Sequence, residues 1–132
     1  MKIIDKLAWI YVRDRRLLAV RSYGKQRFYI PGGKRDPGET DHQALIREVK
    51  EELNVDLIQN SIEPALKFTT QADEKTAGTQ LTMTCYYANY SGTLRIASEI
   101  EEMAWLNTSD IARCSLAAGR VVEYLHAKER LD

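Results

Sequence analysis

Short apolar runs in the first part of the chain follow the pattern of β-strands. The runs KLAWIYV (6–12) and RLLAVRS (16–22) are separated by a charged turn at 13–16, which predicts an antiparallel hairpin. A third run, RFYI (27–30), predicts another short strand that ends at Pro31. The chain therefore begins with strands and then enters a stretch rich in glycine and proline.

A helical period follows that stretch and predicts a helix over residues 41–53. At about 100° per residue, four apolar side chains fall on one arc that would pack on a sheet: Leu45, Ile46, Val49 and Leu53. Thr40 or Asp41 can cap the beginning of this helix. Asn54 stands where a left-handed residue would end it, a conformation that asparagine tolerates.

The second half of the chain returns to strands. SIEPALKFTTQ (61–71) and TQLTMTCYYANY (79–90) predict two long strands joined by a polar loop at 72–78, and the second alternates between two faces. The remaining predicted elements are a turn at 91–92, a last strand at 101–106 and a helix at 117–130. The order of strands, helix, strands and helix predicts an α+β fold with a mixed sheet rather than a run of βαβ units.

Composition narrows the class of protein. With 132 residues and a formal net charge of zero, we expect a single domain over 1–132 that does not bind nucleic-acid polymers through a basic face. No apolar run approaches the length of a membrane span, and residues 1–12 lack the features of a signal peptide. Cys85 and Cys114 lack metal-ligand spacing, and two isolated thiols favour a cytoplasmic location.

Three glutamates share one side of the predicted helix, next to its apolar arc. Glu48 and Glu52 are four residues apart and repel each other, and the helix dipole disfavours negative charge in the C-terminal half. Together with Glu51 they form either a solvated acidic face or a site for a hard divalent cation such as Mg²⁺, which prefers oxygen ligands. Arg47 can reach Glu51 one turn later.

The loop before the helix favours the metal site. Gly32 and Gly33 have no side chains, so the backbone can approach a ligand and a carbonyl can turn toward a metal. A structural turn would explain one glycine. Two glycines, the pair Pro37–Gly38 and Glu39, all placed before an acidic helix, are harder to explain as a turn alone.

These residues resemble the Nudix box. Starting at Gly33, the chain has five residues, Glu39, seven residues and then REVKEELNV (47–55). Only Asn54 departs from the family's pattern, which has glycine there, and asparagine can adopt the same conformation. The resemblance, which extends to the preceding FYIPGGK (28–34), implies a Nudix fold: an α/β/α sandwich around a central mixed sheet.

The resemblance also implies an activity. Nudix enzymes hydrolyse a diphosphate bond in a nucleoside diphosphate derivative with Mg²⁺ or Mn²⁺. The implied metal ligands are the carboxylates of Glu48, Glu51 and Glu52 and the carbonyl of Gly32. Arg47 resembles the arginine that orients these glutamates, and Glu39 is expected to tie the loop to the helix.

The general base is expected to be Glu48 or Glu52. In some family members the base comes from a later loop, and here ASEIEEMAW (97–105) provides Glu99 and Glu102. A solvated loop is the alternative interpretation of these two residues. Glu99 is also a candidate for contact with the substrate.

The residues that determine substrate specificity are harder to identify from the sequence than those of the metal site. Arg21 and Lys34 are predicted to contact phosphates, ahead of Lys25 and Arg27. The aromatic residues that could either stack on a base or lie in the core are Tyr23, Phe28, Tyr86 and Trp105. His42 and His126 are assigned no role.

The small size favours a MutT-like nucleoside triphosphate pyrophosphohydrolase that releases a monophosphate and pyrophosphate. The alternatives are an ADP-ribose, nucleotide-sugar or dinucleotide pyrophosphatase, a longer and more divergent prenyl diphosphate isomerase, and a non-catalytic nucleotide-sensing module. Retention of every box glutamate disfavours the last. We expect a small-molecule nucleotide substrate, no membrane association, and a monomer or homodimer.

Overall fold

The computed structural model describes residues 2–72 and 78–132. The strands are β1 (Lys2–Ile10), β2 (Val12–Arg13), β3 (Arg16–Ser22), β4 (Gly32–Gly33), β5 (Asp56–Leu57), β6 (Glu63–Gln71), β7 (Thr79–Tyr87), β8 (Tyr90–Ser91) and β9 (Ile100–Leu106). The helices are α1 (Asp41–Leu53) and α2 (Leu116–Ala127), and 3-10 turns cover Gln59–Ser61 and Thr108–Arg113. The predicted polar loop at 72–78 lies mostly outside the described residues.

A mixed sheet with the strand order β4-β1-β7-β6 forms the centre of the fold. β1 runs parallel to β7, with pairs from Lys2 with Thr79 to Ile10 with Tyr87, whereas β4 and β6 are antiparallel to their neighbours. A second sheet has the order β2-β3-β9, and β5 pairs with β8. The predicted α+β class with a central mixed sheet is confirmed.

The two faces of β1 lie in two different hydrophobic cores. On one face Ile4, Ala8 and Ile10 belong to the core that includes residues of α2. On the other face Leu7 and Trp9 belong to the core that includes residues of α1. The helices therefore cover opposite faces of the sheet, as expected for an α/β/α sandwich.

Helix α1 has the predicted bounds because both of its ends carry local signals. The Thr40 side chain accepts a hydrogen bond from the Gln43 N–H at 3.1 Å, and the Gln43 side chain accepts one from the Thr40 N–H at 3.0 Å. At the other end Asn54 has φ +58°, and its N–H donates to the Lys50 carbonyl. These bonds satisfy backbone groups that the helix itself leaves unpaired.

Two predictions near the glycine pair, one of a strand and one of a loop, are wrong. Residues 27–30 form no regular strand, because Phe28 pairs with Cys114 while Tyr29 pairs with Val20 on another element. Gly32 and Gly33, for which the sequence predicts a loop, form β4 and pair with Ala8 and Leu7 of β1. Both differences arise from long-range pairing that a short run does not reveal.

Other element boundaries shift by a few residues. β6 begins at Glu63, because residues 59–61 form a 3-10 turn before it. β7 ends at Tyr87, and the turn predicted at 91–92 is replaced by strand β8 followed by Gly92 at φ +101°. The antiparallel hairpin is confirmed only at its turn, where β2 pairs with the first residues of β3. None of the helices in the described ranges has the length and apolar character needed to cross a bilayer.

Candidate active site

The guanidinium of Arg47 joins the acidic side chains of α1 to the preceding loop. Its Nη1 donates to Glu48 at 3.0 Å and to Glu51 at 3.1 Å. Its Nε and Nη2 donate to the two carboxylate oxygens of Glu39 at 2.8 and 2.9 Å. Nη2 also donates to the Lys34 carbonyl at 3.0 Å. The five N–H groups of this arginine thus match five acceptors, and the predicted contact with Glu51 is confirmed.

Glu39 connects the loop to the helix. Besides the two bonds from Arg47, its carboxylate accepts the Asp36 N–H at 2.8 Å. The hydrogen bonds from Arg47, followed by that from the Asp36 backbone, lower the pKa of Glu39 to about 2. This carboxylate therefore stays ionised over the physiological range, and its expected structural position is confirmed.

Glu52 is a buried carboxylate, with only 6% of its surface exposed. Burial raises its pKa to about 8, and the negative charges of Glu99 and Glu48 add to this effect. The opposing influences are a hydrogen bond from the Gly32 N–H, at 3.2 Å, and the positive charge of Lys6. A cation close to Glu52 would stabilise the ionised form that burial disfavours.

The absence of a side chain at Gly33 makes room for the carboxylate of Glu48. A Cβ at Gly33 would lie 2.5 Å from the Glu48 carboxyl carbon. Glu48 is half-buried, and burial raises its pKa against the opposing effect of Arg47. Gly32 is constrained differently: its φ is +145°, and a Cβ there would lie 2.0 Å from the Leu7 carbonyl oxygen.

A cavity of about 400 Å³ lies next to these residues. Its charged lining residues are Lys6, Lys25, Lys34, Glu48, Glu52 and Glu99. Its apolar lining residues include Ile4, Ala72, Leu81, Met83 and Ala117. These five belong to the core on the α2 side of the sheet. One concave surface thus offers acidic, basic and apolar groups, the composition expected of a small-molecule site.

The structure gathers only part of the residues predicted for the site. Gly32, Lys34, Glu48, Glu52 and Glu99 line the cavity. By contrast, the predicted metal ligand Glu51 is not among the lining residues, and half of its side-chain surface is exposed beside Arg47.

Arg21 and Glu102 also lie outside the cavity lining. They face each other across strands β3 and β9, and the Arg21 Nη2 lies 3.1 Å from Glu102. Arg21 also binds Glu101 at 2.8 Å, whereas its chain neighbours Val20 and Ser22 line the cavity. The predicted substrate contact of Arg21 and base role of Glu102 therefore gain no support from the geometry.

None of the four aromatic residues considered for stacking on a base lines the cavity. Phe28 is buried in the core, and the Tyr86 hydroxyl donates to Asp41 at 2.7 Å. Trp105 lies under the guanidinium of Arg13, 4.8 Å from its ring centre, and Tyr23 is exposed. The aromatic residue that lines the cavity is Tyr29.

Lys6 is a cavity residue that the sequence analysis missed. It lies on β1 between Ile4 and Ala8, in a row of otherwise buried apolar residues. A single charge in an apolar row of a strand was the available signal, because alternate strand residues share a face.

The residues of the cavity fit a hard divalent cation. In the portion of the chain that the structure describes, no three His, Cys, Asp or Glu side chains are already gathered as a ligand cluster. Glu48 is held by Arg47 and Glu52 by the Gly32 N–H. Even so, Glu48, Glu52 and Glu99 line the same cavity, and the donors that they offer are all oxygens, as Mg²⁺ and Mn²⁺ prefer.

Comparison with known proteins gives the family. The model of the NUDIX domain matches residues 5–125. The chain belongs to the Nudix family. It is a Nudix hydrolase, and enzymes of this family generally use divalent metal ions. The predicted resemblance is confirmed over most of the chain.

Individual relatives agree with this assignment. The nucleoside triphosphatase NudI of Escherichia coli strain UMN026 is 32% identical over 95 residues, a match that spans 66% of either protein, just under two thirds. The solution structure of the E. coli ORF135 protein has a TM-score of 0.73 at 24% identity and covers 100% of this chain and 96% of that one. The crystal structure of the MutT Nudix hydrolase from Burkholderia pseudomallei has a TM-score of 0.73 at 23% identity, covering 92% and 96%. At these identities the two structures show a shared fold.

Proposed function

We propose that this Nudix hydrolase cleaves the bond between the α- and β-phosphates of a nucleoside triphosphate with the help of Mg²⁺ or Mn²⁺. The products are a nucleoside monophosphate and pyrophosphate. The supporting observation is the cavity, which combines the carboxylates of α1 with lysines and an apolar wall. A triphosphate with its base and sugar needs all three kinds of contact.

The residues that would hold the divalent ion are Glu48 and Glu52, with Glu51 and the Gly32 carbonyl as the further ligands predicted from the Nudix box. When bound, the ion neutralises phosphate oxygens and lowers the pKa of a water molecule. Arg47 orients Glu48 and Glu51 through the hydrogen bonds described above. Their side chains would otherwise be free to adopt many rotamers.

The phosphates are bound at the charged part of the cavity. Lys34 is exposed at the mouth, and its carbonyl is fixed by Arg47. Lys6 and Lys25 add positive charge to the same lining. The cavity volume of about 400 Å³ falls in the range of typical small-ligand sites, and the base and sugar contact the apolar wall.

A cavity carboxylate takes the proton of the attacking water. Glu48 and Glu52 remain our first candidates for this base. Of the two later residues, the geometry favours Glu99, which lines the cavity, over Glu102, which pairs with Arg21. The chain thus offers a direct comparison between two glutamates three positions apart.

A nucleoside triphosphate is favoured over the other nucleotide derivatives because of one relative. NudI is named as a nucleoside triphosphatase and matches this chain at 32% identity. ADP-ribose, nucleotide sugars and dinucleotides are the competing substrates, and a non-catalytic nucleotide-sensing module is the competing function.

The test is a substrate panel with product analysis. We expect nucleoside triphosphates to be turned over fastest with Mg²⁺ or Mn²⁺, and anion-exchange chromatography to show monophosphate and pyrophosphate. Glu52→Gln should lose activity by about a hundredfold or more, whereas Glu123→Gln, an exposed residue of α2, should keep it. Faster turnover of ADP-ribose, release of single phosphate, or full activity of Glu52→Gln would contradict the proposal.

Two matched variants test whether Glu99 or Glu102 contributes to catalysis. We expect Glu99→Gln to lower kcat by about tenfold or more and Glu102→Gln to lower it much less. A larger loss of kcat in Glu102→Gln than in Glu99→Gln would show that Glu102 contributes to catalysis in spite of its contact with Arg21.

A further inference from the structure

The loop before β9 is bound to the C-terminal end of helix α1. The Arg95 N–H donates to the Leu53 carbonyl at 2.9 Å, and the Ala97 N–H donates to the Glu52 carbonyl at 3.0 Å. The last carbonyls of a helix have no partner within the helix, and these bonds supply partners for two of them. Glu52 therefore contributes its side chain to the cavity and its backbone carbonyl to the support of this loop.

Ser98 turns the loop toward the cavity. Its φ is +56°, a left-handed conformation that is uncommon for residues other than glycine. On its two sides the Ile100 N–H donates to the Ala97 carbonyl at 3.1 Å, and the Tyr23 N–H donates to the Glu99 carbonyl at 2.9 Å. The turn is thus held at both ends, and the residue that follows it, Glu99, lines the cavity.

The hydroxyl of Ser98 also holds the side chain of Glu99. It donates a hydrogen bond of 2.6 Å to Glu99 Oε2. A carboxylate has a second oxygen, which can accept or coordinate independently. Glu99 lines the same cavity as Glu48 and Glu52, so the three carboxylates share one concave surface.

We propose that Ser98 is a positioning residue for the hydrolase. Its left-handed turn and its hydroxyl together aim Glu99 at the carboxylates of α1, and the loop's bonds to Leu53 and Glu52 fix this arrangement relative to the helix. The inference rests on the proposed function, in which Glu99 acts beside Glu48 and Glu52. Partners that orient a functional carboxylate are worth about 10- to 100-fold in metal affinity or activity.

Two substitutions separate the turn from the hydroxyl. Ser98→Gly keeps the left-handed backbone and removes the hydroxyl, whereas Ser98→Ala removes the hydroxyl and disfavours the backbone conformation. We expect Ser98→Gly to lower kcat by about tenfold with little change in KM, and Ser98→Ala to lower kcat further. Ser109→Gly is the matched control, because that hydroxyl also donates to a side chain, Asn107, away from the cavity; it should keep the wild-type kcat.

Three further measurements exclude a merely structural role. The melting temperature of Ser98→Gly in EDTA should equal or exceed that of the wild type, because glycine relieves the strained backbone. Mn²⁺ affinity without nucleotide, followed by the electron paramagnetic resonance of the free ion, should fall by about tenfold, because Glu99 is one of the three cavity carboxylates that fit the cation. In a Glu99→Ala background, Ser98→Gly should have no further effect on kcat.

The outcomes are distinguishable from failure of the proposed function. If the wild type does not hydrolyse nucleoside triphosphates, the Mn²⁺ titration still tests Ser98. Wild-type Mn²⁺ affinity and kcat in Ser98→Gly would overturn the inference. An equal loss of kcat in the wild-type and Glu99→Ala backgrounds would also overturn it, because Ser98 would then act without Glu99.

Discussion

Single residues explain how acidic side chains on neighbouring turns of one helix can coexist. Arg47 binds Glu48 and Glu51 on its own helix and Glu39 on the preceding loop. Among the described residues Glu52 pairs with no arginine, and the Gly32 N–H and the nearby charge of Lys6 offset its burial. The helix therefore carries two glutamates that share one guanidinium and a third carboxylate, Glu52, that a cation would stabilise.

The glycine pair gives a prediction about activity. Gly33→Ala places a Cβ 2.5 Å from the Glu48 carboxyl carbon, so that this flexible side chain must move. We expect kcat to fall by about tenfold or more, while the free energy of unfolding measured with urea changes by less than about 1 kcal/mol.

The neighbouring position is the matched comparison. Gly32→Ala places a Cβ 2.0 Å from the rigid carbonyl of Leu7 at a residue with φ +145°. We expect it to lower the free energy of unfolding by about 3 kcal/mol or more. Equal stability of the two variants would show that the contact between β1 and β4 does not constrain Gly32.

The buried charge of Glu52 gives a prediction about pH. Its pKa is about 8 in the folded chain against an ordinary value of 4.5, so its contribution to stability is full below the ordinary pKa and is lost as pH rises through the folded value. In EDTA, Glu52→Gln should therefore be more stable than the wild type at pH 8, by about 4 kcal/mol, and nearly equal at pH 4. Urea unfolding at both pH values measures this. A variant less stable than the wild type at pH 8 would mean that the ionised carboxylate is well solvated.

At the scale of elements, helix α1 ends through a single left-handed residue. Asn54 has φ +58°, and its N–H caps the Lys50 carbonyl. Asn54→Gly should leave the free energy of unfolding unchanged or raise it slightly, whereas Asn54→Ala should lower it by about 1 kcal/mol. Thermal melts of the two variants measure the difference, and similar stability of both would mean that the helix ends elsewhere.

Local signals made α1 predictable, and long-range pairing limited the rest. The period, Thr40 and Asn54 are all close to the helix, so its bounds 41–53 followed from the sequence. The isolated bridges at 28–29 and the glycine strand β4 depend on partners far along the chain, which short runs do not reveal.

The same limit applied to the site. The contact of Arg47 with Glu51 followed from their spacing of four residues on one helix, whereas the link from Glu39 to the helix was implied by the resemblance to the Nudix box. The contact between Arg21 and Glu102 depends on the register of β3 against β9, which short runs of sequence do not reveal.

For the whole molecule, both cysteines lie within the packed interior. Burial raises the pKa of Cys85 to about 12 and that of Cys114 to about 11, from an ordinary value of 9.0. The thiolate is the reactive form, so we expect Ellman's reagent at pH 8 to react with the native protein at least about a hundredfold more slowly than with the protein in guanidinium chloride. Rapid reaction of one thiol in the native protein would reveal a local opening near that residue.

The parallel pairing of β1 with β7 has a consequence for protein synthesis. Lys2 lies beside Thr79, so β1 finds its neighbour on that side only after the residues up to β7 have been made. Lys6 belongs to β1 and Glu99 follows β7 in the sequence, yet both residues line one cavity. A nascent chain that ends before Glu99 therefore lacks part of the cavity lining.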